Sequence, residues 1–256
     1  MHCKLHTILF FLTCCLLINP SVFSQETKSN PAKLNLGVDL MSRYVWRGLD
    51  YGASPNVQPT LSLSKGNFEV GYWGAISTRG TYSETDLYAK YTLKGFSIIA
   101  TDYFFPVDMV PCEHQQKYFN YDNHNTGHVC ETALQYKGPE NFPISLYAST
   151  MVYGADKKID KIIILPLNGI DTTYKNNYST YFEAGYSAVL GDNNLDLFMG
   201  FTPDEGFYGT SAGIVNLGLT AYRKIKITDR FELPLKASLI TNPQTENIYF
   251  IVGVSF

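Results

Sequence analysis

The chain has 256 residues, with 20 Lys and Arg against 23 Asp and Glu, a formal charge of −3 and no basic run, so it lacks the electrostatic footprint of a nucleic-acid binder. Charged residues make up 17 % of it, below the roughly 25 % of ordinary soluble domains, while 19 Tyr and 16 Phe suit aromatic girdles facing a membrane. Beyond the N-terminus no apolar run is long enough for a membrane helix, which excludes a helix-based membrane protein but not a barrel, whose strands are only half apolar.

The N-terminus reads as a secretory signal. Lys4 and the histidines at 2 and 6 precede an apolar run from Ile8 to Ile18, and a small polar exit (NPSVFS) leads to cleavage between Ser24 and Gln25. A lipoprotein signal at Cys14 or Cys15 is disfavoured, because Cys14 stands where a small residue is wanted. The expected organisation is residues 1–24 as signal peptide, 25–32 as a periplasmic lead and 33–256 as an outer-membrane barrel domain. Of the 5 cysteines, Cys112 and Cys130 remain in the mature chain.

Period-2 alternation then recurs along the chain. The first strand is expected over Lys33–Arg47, with Leu34, Leu36, Val38 and Leu40 opposite Asn35, Gly37, Asp39, Met41 and Arg43. Tyr44 and Trp46 fall near its far end on the apolar face, as an interfacial aromatic belt requires. Further strands are expected at 56–64, with Pro59 marking a bulge, and at 67–77, 83–93, 96–105, 128–136, 143–153, 178–190, 194–202, 214–226 and 231–241. The last, Asn247–Phe256, sets Ile248, Phe250, Val252, Val254 and Phe256 on one face. It resembles the closing strand of bacterial outer-membrane barrels, whose terminal aromatic residue the assembly machinery recognises.

The sum is about twelve strands and no convincing helix. Connection lengths sort by parity: the odd-numbered ones are mostly long, with 106–127 and 154–177 the longest, and the even-numbered ones mostly short. That sorting fits an all-β, antiparallel transmembrane β-barrel with short periplasmic turns and long extracellular loops. A soluble lipocalin-type barrel is the competing fold. Against it, the strand charges (Asp39, Arg43, Arg47, Glu69, Glu84, Asp86, Lys90, Glu131, Glu183, Asp196, Lys236) mostly share the face opposite the aliphatic one. In a bilayer that face must line the lumen, because a charge on the lipid side near the midplane costs roughly 2–4 kcal/mol.

The run DLMSRYVWRG (Asp39 to Gly48), with Pro55, Gln58, Pro59 and Gly71-Tyr72-Trp73, resembles the signature of the TorF-type putative porins. The resemblance extends to Asn141-Phe142-Pro143-Ile144, Val215-Asn216-Leu217-Gly218-Leu219 and Leu233-Pro234-Leu235, covering most of the mature chain. It implies an exported barrel of unassigned substrate. The inserts around 106–127 and 155–177 depart from the family pattern and would make specificity this chain's own.

Three constellations could carry chemistry. In Cys112, His114, His124, His128 and Cys130 the residue types and local spacings suit zinc or copper, but a Cys112–Cys130 disulfide pinning an external loop is the favoured reading in an exported chain. Asp39, Arg43 and Arg47, spaced by four along a strand, would face Glu69, Glu84 and Asp86 as a lumenal constriction, or form a ladder of ion pairs. No serine and histidine arrangement suggests a hydrolase, so no enzyme activity and no cofactor are expected. The expected function is monomeric, porin-like passive diffusion of small polar solutes or ions across the outer membrane of a Gram-negative bacterium. Its partners are then outer-membrane lipid, the barrel assembly machinery through the Phe256 strand and the solutes themselves. The alternative is a closed barrel that binds or scaffolds through its long loops at 106–127 and 154–177.

Overall fold

Alternating sequence becomes alternating burial in the computed structural model, which describes residues 31–106, 116–165 and 169–256. Its strands are β1 (Lys33–Met41), β2 (Val45–Trp46), β3 (Leu49–Asp50), β4 (Asn56–Lys65), β5 (Phe68–Ser77), β6 (Ser83–Leu93), β7 (Phe96–Phe104) and β8 (His128–Lys137). They continue as β9 (Ile144–Gly154), β10 (Lys157–Leu165), β11 (Gly169–Asn176), β12 (Thr180–Leu190), β13 (Asn193–Thr202), β14 (Gly213–Thr228), β15 (Phe231–Asn242) and β16 (Asn247–Ser255).

Twelve of these close into one antiparallel barrel in the order β1-β16-β15-β14-β13-β12-β9-β8-β7-β6-β5-β4. Closure leaves no sheet edge, the condition for strands to cross a membrane. At the seam Asp39 pairs with Ser255 and Met41 with Gly253, and Val38 exchanges backbone hydrogen bonds of 3.0 and 2.9 Å with Phe256. β2–β3 and β10–β11 are separate two-stranded hairpins inserted in loops.

The barrel is inverted relative to a soluble protein. On the outer wall Leu36 is 76 % and Phe250 71 % exposed, whereas the inward residues Ser62 and Thr220 are each 6 % exposed. The parity of the connections also holds. Turns at 66–67, 94–95, 138–143, 191–192 and 229–230 lie at one end; the connections β1–β4, β5–β6, β7–β8, β9–β12, β13–β14 and β15–β16 leave and rejoin the barrel at the other.

Four expectations change. β1 ends at Met41 rather than Arg47: the Ser42 N–H still donates to the Val252 carbonyl (2.8 Å), but the Val252 N–H donates to the Ser42 hydroxyl (3.0 Å) in place of its carbonyl, and the chain bends off the ladder there. Tyr44 and Trp46 therefore turn into the barrel, where Tyr44 is buried against Trp73, and do not form a lipid-facing belt. Pro59 makes no bulge: it sits opposite Val38 and the β4–β5 register is unshifted across it, the barrel's register shifts lying instead between Cys130 and Glu131, between Gly200 and Phe201 and between Lys226 and Thr228. The connection expected at 154–177 is largely the β10–β11 hairpin, whose cross-strand hydrogen bonds satisfy a backbone that a plain loop would leave to water.

Candidate functional site in the barrel lumen

The site begins with a turn. Trp46 pairs with Leu49 across a two-residue reversal in which Arg47 and Gly48 both take positive φ, 50° and 79°. Such turns suit the twist of a hairpin, but an arginine at the first position is costly and needs something to hold it there. Gly48 is obligatory on space as well: a Cβ would stand 1.9 Å from the carbonyl oxygen of Val215, and Asn242 donates to the Gly48 carbonyl at 3.3 Å.

What holds Arg47 is Glu131, pointing inward from β8. Nη1 donates to Glu131 Oε2 at 2.5 Å and Nη2 to Oε1 at 2.9 Å, a two-pronged pair with side chains only 8 % and 1 % exposed. Nη1 also donates to the Tyr208 hydroxyl and Nη2 to that of Tyr147, at 2.5 and 2.9 Å. Those two phenols and Tyr103 donate in turn to Glu131, at 2.9, 2.9 and 3.1 Å. Aromatic faces close the cage, with the guanidinium carbon 4.3 Å from the Trp46 ring and 4.7 Å from that of Tyr181. A buried pair survives desolvation only when its remaining lone pairs and protons are satisfied, and here both Nη groups and both carboxylate oxygens have further phenol partners.

The hairpin and the segment 203–212 thus fill the lumen on the loop side. Trp46 packs on Tyr103, Phe207 and Tyr208 with ring centroids 5.3, 6.2 and 5.8 Å apart. Turnwards the lumen is wetter: Lys90 and Glu69 pair at 3.3 Å with side chains 31 % and 24 % exposed, and Tyr88 donates to Glu69 at 2.8 Å.

The expected constriction set is therefore dispersed. Arg43 pairs with Asp50 at 3.2 Å, Arg47 with Glu131, and Glu69 with Lys90. Glu84 accepts from Tyr82 at 2.8 Å, and Asp86 lies beside it on the same inward face of β6. Burial, and after it the charge of Glu84, push the Tyr82 phenol well above its ordinary pKa, so it remains a donor. Asp39 lines the lumen opposite Gln58 and Ser255. The single line of Asp39, Arg43 and Arg47 fails because the strand ends before either arginine. Glu131 is the residue that sequence reasoning missed as a partner; its signal was an inward charge at the middle of β8, which requires a counter-ion.

The loop cluster divides as well. Cys112 and His114 lie outside the described residues. His124 is exposed beside Asp122 at 3.1 Å, whereas His128 is wholly buried, with Nδ1 2.8 Å from Asp102 Oδ1 and Nε2 2.5 Å from the Tyr118 carbonyl. Cys130 has no disulfide partner among the described residues, so its expected bridge to Cys112 lies outside them; its sulfur lies 3.7 Å from Asp102 Oδ1. Asp102 and Cys130 share the outward face with Ile98 and Leu134, and the Tyr121 hydroxyl donates to Asp102 at 2.7 Å. The segment around Tyr118 and Tyr121 thus supplies the partners that an outward carboxylate needs. Among the described residues no group of three or more His, Cys, Asp and Glu could hold a metal ion.

No protein-family model matches the chain, and no curated protein does. Among solved structures it is similar to the crystal structure of an outer membrane channel from Pseudomonas putida F1, at 13 % identity and a TM-score of 0.39, over 93 % of this chain and 98 % of that one. The fold class rests on this chain's own strand pairing: an all-β, closed, antiparallel barrel of twelve strands.

Proposed function

We propose that the chain is a porin-like outer-membrane barrel, exported by its N-terminal signal in a Gram-negative cell, that passes small polar solutes or ions through a lumen throttled by the β2–β3 hairpin. The supporting observation is the contrast along the lumen. Its turn side carries the partly exposed Lys90–Glu69 pair, while its loop side is closed by an inserted segment gripped through Arg47 and Glu131. A hairpin that closes a wet lumen is the natural place for a gate or a size limit. The resemblance to TorF-type porins agrees with this reading. So does an outer wall whose apolar side chains suit lipid. The Phe256 strand is the segment offered to the assembly machinery, the barrel acts as a monomer, and no catalytic role is included.

Single-channel conductance of the refolded mature protein in a planar bilayer tests the proposal. Wild type should give small discrete steps. Arg47→Ala, which leaves the Glu131 carboxylate without its guanidinium, should enlarge them and move selectivity toward cations. An inserted barrel silent in both forms would sink the diffusion reading. The second reading would then stand, a closed barrel that binds or scaffolds through its loops. It is favoured by the exposed Ile162, Ile170 and Tyr174 of the β10–β11 hairpin.

A further inference from the structure

A second acidic centre lies beside the throttle, and among the described residues no cationic side chain pairs with it. Glu84 and Asp86 stand two apart on β6, point inward and are only 3 % and 4 % exposed. Their carboxyl groups lie within hydrogen-bonding reach of each other, and Asp86 Oδ1 is buried with no hydrogen-bond donor among the described residues. The nearby arginines are committed elsewhere, Arg43 to Asp50 at 3.2 Å and Arg47 to Glu131 at 2.5 Å. Around the pair is an aromatic shell: Tyr44 packs on Trp73, Tyr51 and Tyr82 at centroid distances of 5.3, 5.5 and 6.0 Å, and Tyr51 on Tyr82 at 5.2 Å. Two neighbouring carboxylates in such surroundings repel each other and forfeit hydration, a cost that calls for a compensating positive charge.

We propose that Glu84 and Asp86 bind a hard divalent cation, calcium first, with the Tyr82 phenol oxygen and water completing its shell. One such ion cancels both charges and gives Asp86 Oδ1 the partner it lacks. Oxygen donors without imidazole or thiolate select the hard class over zinc or copper. With two carboxylates rather than three or more, affinity should be modest, because ligand charge count sets it. Tyr44 and Tyr51 flank the β2–β3 hairpin, so the ion would fasten the throttle to the wall at a second point.

The test uses the full mature chain refolded in detergent micelles, with Tb3+ as the probe and its emission excited through Tyr44, Tyr82 and Trp73. Saturable emission that Ca2+ displaces is expected, and a thermal midpoint raised by Ca2+ and lowered by a chelator. In Glu84→Gln/Asp86→Asn, apparent affinity should fall at least about tenfold. If that pair of changes prevents folding, Asp86→Asn alone, which keeps the shape of the side chain, carries the same comparison. A wild type without saturable emission overturns the proposal, since the carboxyls then share a proton instead. So does emission unchanged in the variants, which would place the ion on other carboxylates. Metal binding is read without conduction, so a silent bilayer record leaves this result intact.

Discussion

The two hairpins inserted in loop-side connections invert the usual relation between length and order. β2–β3 has strands of two residues, yet it is gripped by inward side chains of β7, β8, β9 and β12 and by segment 203–212. β10–β11 has strands of nine and eight residues, yet Ile159, Ile162, Ile170 and Tyr174 are exposed along it. A two-stranded hairpin alone is marginal in water, so its own ladder decides little. What fixes the short one is an ion pair, a ring of phenols and a glycine that lets backbone meet backbone.

That contrast can be broken most forcefully at the ion pair. Glu131→Ala leaves the Arg47 guanidinium buried and unpaired and should cost about 3–5 kcal/mol in urea unfolding from lipid vesicles. Adding Arg47→Ala should recover part of the loss, because no unpaired charge then remains; a purely additive double variant would mean that the two residues do not act as a unit.

The turn gives a smaller but still clear effect. Gly48→Ala sets a Cβ against the Val215 carbonyl at a φ of 79° and should cost more than about 1 kcal/mol in the same assay. If it is neutral, the hairpin is not seated where its grip requires. Smallest of all, Ile162→Lys on β10 should stay within about 0.5 kcal/mol of wild type. A loss comparable to that of Gly48→Ala would show that β10–β11 is packed after all and would remove the contrast.

The barrel was legible because it imposes one rule on every strand. Leu34, Leu36, Val38 and Leu40 fall outward against Asn35, Gly37 and Asp39, and the same period recurs to the Ile248, Phe250 and Val252 row, so misplacing a boundary by a residue or two changes nothing. The inserted β2–β3 hairpin was illegible for a related reason. Tyr44 and Trp46 resume the alternation with Arg43 and Arg47 after Ser42 alone interrupts the apolar face, and periodicity reads the same whether a segment stays in the wall or folds inside it. Only Arg47-Gly48, both at positive φ, marks the reversal, and an arginine there is an uncommon turn signal. Asp102 escaped for the opposite reason: it sits outward on β7, where the alternation is blurred, and is sheltered by residues distant in sequence.

By itself, then, the sequence determined that the chain is an all-β, antiparallel barrel, with short turns at one end, long connections at the other and polar side chains inward. Those features are local: each strand carries its own alternation, and each connection its own length. Only the tertiary structure decided which charges meet. Arg47 finds Glu131 rather than Glu69, Glu84 or Asp86 because the end of β1 redirects the β2–β3 hairpin into the lumen. The partners there come from strands far apart in sequence, and an electrostatic choice among inward carboxylates depends on distance and desolvation, neither of which a one-dimensional pattern encodes.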